Sequence, residues 1–118
     1  MQLQYQFFYK TPVFFNGIPL MSDPSTIVQI KDDANYGKTF KEIYNFTDDD
    51  VVEFVARAKW MQIREYRNLE LKESDWTQGA DVPDNIKLPW ATYRSTLRNI
   101  PDMFTDPDSV IFPTRPQT

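Results

Sequence analysis

The chain has 118 residues, 41% of them hydrophobic and 25% charged. That is enough for one modest core and too apolar for a disordered chain. It contains no His and no Cys, which excludes disulfide scaffolds, thiolate or imidazole zinc sites, Ser-His-Asp triads and Cys-His pairs. Three glycines argue against a phosphate-cradling loop, and a net charge of −4 with no basic stripe argues against a nucleic-acid partner.

The first third reads as short strands. Leu3, Tyr5, Phe7 and Tyr9 alternate with Gln2, Gln4, Gln6 and Phe8, a period of two rich in aromatics. Asn16-Gly17 suits a type I′ hairpin turn, because both residues tolerate positive φ. Thr26 to Ile30 is a second strand candidate, bounded by Asp23-Pro24-Ser25 and Lys31-Asp32-Asp33. Residues 1–46 thus form a small antiparallel β element. Two strands alone are marginal, so they need cover from helices or from another chain.

A long helix follows. Thr47 caps it, Asp48, Asp49 and Asp50 complement its dipole, and no Pro or Gly occurs from Thr47 to Gln78. Val51, Phe54, Val55, Ala58, Met61 and Leu69 fit one face, and Val52, Ala56, Trp60, Ile63 and Tyr66 form a second line. From Asp48 to Glu73 it would be roughly 39 Å long, more than a small core covers. Ser74 to Gly79 ends it. A second helix begins near Asp84, Asn85 or Pro89, carries Trp90, Tyr93, Leu97 and Ile100 on one face, and is stopped by Pro101. Beyond Asp102, Pro107, Pro113 and Pro116 disfavour a further helix, and Val110-Ile111-Phe112 docks as an extended piece. The fold class is α+β: a β element over 1–46, then a helical module over 47–118 with a long helix, a hairpin and an extended tail. No apolar run long enough to span a membrane is present, and Met1-Gln2-Leu3-Gln4 lacks the features of a signal peptide.

The segment from about Arg64 to Pro116 resembles the phage tail assembly chaperone family. Five pieces in order carry the likeness: Arg64-Glu65-Tyr66-Arg67-Asn68-Leu69; Glu73-Ser74-Asp75-Trp76-Thr77-Gln78; Ala80-Asp81-Val82-Pro83-Asp84; Trp90-x-x-Tyr93-Arg94-x-x-Leu97-Arg98-x-Ile100-Pro101; and Val110-Ile111-Phe112-Pro113. Departures are Glu70-Leu71 where a Leu pair is usual, Phe112 in place of Trp, Gly79 in place of an apolar residue, and Pro89 before Trp90. The resemblance implies a bacteriophage tail or virion-associated protein, structural or adaptor, with a transient assembly chaperone as the alternative. It implies other tail or virion proteins as partners, with a homo-oligomer as a further option, in the virion or in the host cytoplasm during assembly.

The chemistry-bearing residues have plain readings. Asp75, Trp76, Trp90, Tyr93, Arg94, Leu97 and Arg98 are assigned to hairpin packing. In that reading Trp76 is buried at the helix junction, and Arg94 and Arg98 pair with Asp75, Glu73 or Asp81. The acidic runs 32–33 and 48–50 match no calcium loop and suit a solvated turn and a helix start. No metal, cofactor, membrane or nucleic acid is expected, and no carboxylate pair is singled out for catalysis, so the chain reads as non-enzymatic. Phe7, Phe8, Phe14 and Phe15 put aromatics on both faces of a strand and are the candidate partner interface.

Overall fold

The structure, a computed structural model, describes residues 1–117. It has an antiparallel hairpin, β1 (Phe8–Phe15) and β2 (Ile18–Ser22), a short helix α1 (Phe40–Ile43), the long helix α2 (Asp48–Glu73) and a second long helix α3 (Asp84–Met103). One-turn 3₁₀ segments lie at Asp75–Gln78 and Pro107–Ser109. The class is α+β. Two compact units are present, one of residues 5–61 and one of residues 1–4 with 62–117. The chain passes from one to the other inside α2, not at the 46/47 change in composition.

In the first unit, Asn16 and Gly17 have φ of 49° and 79° and join Phe15 to Ile18 in a two-residue turn. This is the I′ geometry that suits strand twist. The register breaks between Phe8 and Val13, where β1 carries extra residues. Tyr9, Val13, Phe15 and Leu20 face inward onto Phe46, Phe54 and Ala58. Phe15 meets Phe46 and Phe54 edge-on, with centroids 5.4 and 6.2 Å apart. The first half of α2 covers this inner face of the hairpin. Its start is closed by a reciprocal cap: Asp50 N–H donates to Thr47 Oγ1 (3.1 Å), and Thr47 N–H donates to Asp50 Oδ2 (2.9 Å).

Three expectations are corrected here. The strand begins at Phe8 and does not reach Leu3, because Met1 pairs elsewhere. Its carbonyl accepts from Phe112 N–H (2.8 Å) and its ammonium donates to Phe112 O (3.0 Å). Thr26 to Ile30 is not a sheet strand. It makes one isolated antiparallel bridge, Ile27 to Thr39. Pro101 does not stop α3, which runs on to Met103 with Pro89 and Pro101 inside it. Each proline gives up one i→i−4 bond, to Asn85 and to Leu97, near an end of the helix. Burial of Trp90, Leu97 and Ile100 outweighs that loss.

In the second unit, Ile63, Trp90, Tyr93, Leu97, Ile100, Val110 and Phe112 are buried. Tyr66 stacks edge-on against Phe112, with centroids 4.7 Å apart, so the extended tail is seated by an aromatic pair. The buried side of α2 here runs through Ile63 and Glu70 and on to Ser74 just past its end, while Leu69 is exposed. The apolar stripe expected to include Leu69 therefore does not continue into this unit.

Candidate functional site

The pentapeptide Ser74–Gln78 turns the chain from α2 towards α3, and four of its five side chains are bonded within the chain. Ser74 Oγ donates to Glu70 O (2.7 Å) and Thr77 Oγ1 donates to Ser74 O (2.6 Å). Gln78 Nε2 donates to Lys87 O (3.1 Å), which ties the turn to the first turn of α3. Arg94 closes the corner. Its guanidinium donates to Leu71 O (2.6 Å), Ser74 Oγ (2.7 Å) and the Asp75 carboxylate (2.7 Å). The last carbonyls of a helix have no intrahelical donor, so Arg94 caps α2 from α3.

A second polar cluster seats the tail. The buried Glu70 carboxylate accepts from Tyr93 Oη (2.9 Å) and Arg115 Nε (2.7 Å), and Arg115 also reaches Glu73 (2.7 Å). Burial alone would raise the Glu70 pKa, but the hydrogen bonds from Arg115 and Tyr93 hold it below the ordinary carboxylate value. Tyr93 is pushed up to about 12, first by burial and then by its bond to the Glu70 carboxylate. Glu70, Ser74 and Arg115 were missed in the sequence. The signal for Glu70 was its place where the resemblance expects leucine: a carboxylate there must find partners if it is buried.

Trp76 is the member of the pentapeptide without such a bond, and it corrects an expectation. It is 57% exposed, touching Trp90 at a centroid distance of 6.2 Å. The corner is closed by Arg94 and the small side chains, which leaves the indole outside. Trp90, Tyr93, Arg94 and Leu97 are buried together, whereas Arg98 is exposed with no ion pair among the described residues. Arg98 sits one turn beyond Arg94, past the carboxylates of the corner.

The four aromatic candidates of the N-terminal element divide. Phe15 is 2% exposed and belongs to the core, which removes it from the interface set. Phe7 (70%), Phe8 (71%) and Phe14 (60%) are exposed. Phe14, Pro19 and Met21 share the outer face of the hairpin, alternating with inward Val13, Phe15 and Leu20. Phe8 lies opposite Ser22 at the open end and lines an apolar groove of about 320 Å³ with Thr26, Ile27, Val28, Gln29, Ile30 and Phe40. Ile27 and Ile30 are half or more exposed. Singly exposed apolar residues are ordinary; here several bulky ones gather on one small element.

Among the described residues, no group of three or more Asp or Glu is placed to hold a metal, and no helix is long and apolar enough to cross a membrane.

The geometry defines a small α+β chain whose C-terminal half is a clasped helical hairpin with a docked tail. Residues 60–117, just under half of the chain, match the family model described as phage tail assembly chaperone protein. No curated protein and no solved structure gives a match.

Proposed function

We propose that the chain is a non-enzymatic tail component, structural or adaptor, that stays in the virion and acts through protein–protein contacts without a cofactor. The observation that carries this reading is the exposed apolar set of the N-terminal element, Phe14 and Met21 on the outer face of the hairpin and Phe7 and Phe8 at its open end, all standing in solvent. Leaving such a surface open favours aggregation, so a permanent partner suits it better than a brief one. Residues 5–61 would then hold the neighbour. The protein would be found in the host cytoplasm during assembly and in the tail afterwards.

A second reading, an assembly chaperone that leaves, is favoured by the description of the matched family. Mass spectrometry of gradient-purified particles separates the two. A retained component is present at a fixed ratio to the other tail proteins. A departing chaperone is abundant in the lysate and absent from the particle. The double substitution Phe14→Ser with Met21→Ser tests the surface itself. It should leave folding within about 0.5 kcal/mol, as exposed sites do, and remove the protein from particles.

A further inference from the structure

We infer that two copies of this chain pair through the edge at Thr26–Ile30, antiparallel about a two-fold axis at Val28. The inference does not depend on the tail reading, which stands if it fails.

Val28 is bonded on one side only. Its N–H donates to Lys38 O and its carbonyl accepts from Gly37 N–H, both at 2.9 Å. In an extended segment, peptide groups one residue apart point to opposite sides. The N–H and C=O of Ile27 and of Gln29 therefore face away from residues 37–39. Among the described residues neither residue makes a backbone hydrogen bond. Two donors and two acceptors at two-residue spacing form a template for one more strand.

The occupant is defined by charge and by symmetry. The groove beside this edge is lined by Phe8, Ile27, Ile30, Phe40 and uncharged polar residues. A charge entering it would lose hydration without a counter-ion. The occupant must be an extended, uncharged strand with its own free edge. Pro24 to Ile30 is itself such a segment, without one charged side chain. Turned about Val28, it sets Ile27 of each copy opposite Gln29 of the other. Each of the two pairs exchanges both of its hydrogen bonds, which uses all the free groups. Ile30 of the second copy then stands opposite Thr26, on the groove wall. The contact is isologous and closes at two copies, so it gives a dimer and not a fibre. A single strand pair buries little area, so the dimer is weak and follows concentration.

Sedimentation velocity and amide exchange on the full chain test this. With rising concentration the wild type should shift from monomer to dimer, and the Ile27 and Gln29 amides should gain protection while Val28 stays constant. A doubly substituted chain, Ile27→Lys with Gln29→Lys, should be monomeric, as should Ile27→Glu with Gln29→Glu. Their equimolar mixture should dimerise, because each Lys then faces a Glu. A wild type that stays monomeric at the highest soluble concentration overturns the inference. So does a dimer whose Ile27 and Gln29 amides gain no protection, or a mixture that stays monomeric when both variants keep the wild-type helical signal.

Discussion

A single carboxylate organises much of the helical half. Glu70 stands where the resemblance expects leucine, and it is buried only because Tyr93 and Arg115 converge on it. Arg115→Ala removes the cationic partner and leaves the carboxylate with Tyr93. We expect a loss of about 1–2 kcal/mol, discounted for the half-exposed arginine, read by urea unfolding at neutral pH. Glu70→Leu removes the carboxylate's desolvation cost together with its bonds, so it should be milder than Arg115→Ala, as buried ion pairs replaced by apolar groups often are. The pH dependence has a definite sign at both ends. Glu70 is held below its unfolded pKa, so its contribution is present above that value and is lost as the pH falls through the folded one. Glu70→Gln should flatten the acid limb of stability. Tyr93 is raised to about 12 from the ordinary tyrosine value of about 10, so its contribution is present below 10 and lost on going up through 12. Tyr93→Phe should flatten the alkaline limb, with Tyr9, also raised to about 12 by burial and by Asp23, accounting for part of what remains. Trp76 is mostly outside. Trp76→Ala should cost about 1 kcal/mol, the value of one aromatic contact, rather than the 3–5 kcal/mol of a core tryptophan. Thermal unfolding of that variant decides between them.

At the scale of elements, what was legible follows from how local its cause is. The Asn16-Gly17 turn and the start of α2 could be read directly, since two positive φ angles and a Thr–Asp cap need only neighbouring residues. Thr47→Ala should cost about 1 kcal/mol in urea unfolding, with the loss appearing in helix content. The apolar face of α3 was legible for the same reason, because a period of 3.6 is a local signal. What escaped depends on distant partners. Met1 bonds to Phe112, so the expected first strand stops short at Phe8. Thr26 to Ile30 has the composition of a strand but meets only Thr39. The prolines of α3 looked like boundaries because the burial that outweighs them is tertiary. Of the candidate site residues, Phe7, Phe8 and Phe14 are exposed and Phe15 is not: alternation separates Phe14 from Phe15, and the twin phenylalanines do not reveal which one faces in.

The whole chain separates two kinds of information. Its family signature lies in residues 60–117, and its exposed phenylalanines lie in residues 5–61. Deleting residues 1–4 should loosen the tail rather than the hairpin, because Met1 bonds to Phe112; amide exchange at Phe112 should quicken while that at Val13 and Leu20 holds. The Arg94 clasp carries the wider consequence. Ser74, Asp75, Thr77 and Gln78, together with Arg94, are bonded to their own chain, so they describe a way of turning a corner. A motif written on those residues sorts proteins by shared joinery. Chains gathered by it can differ freely in what they grip.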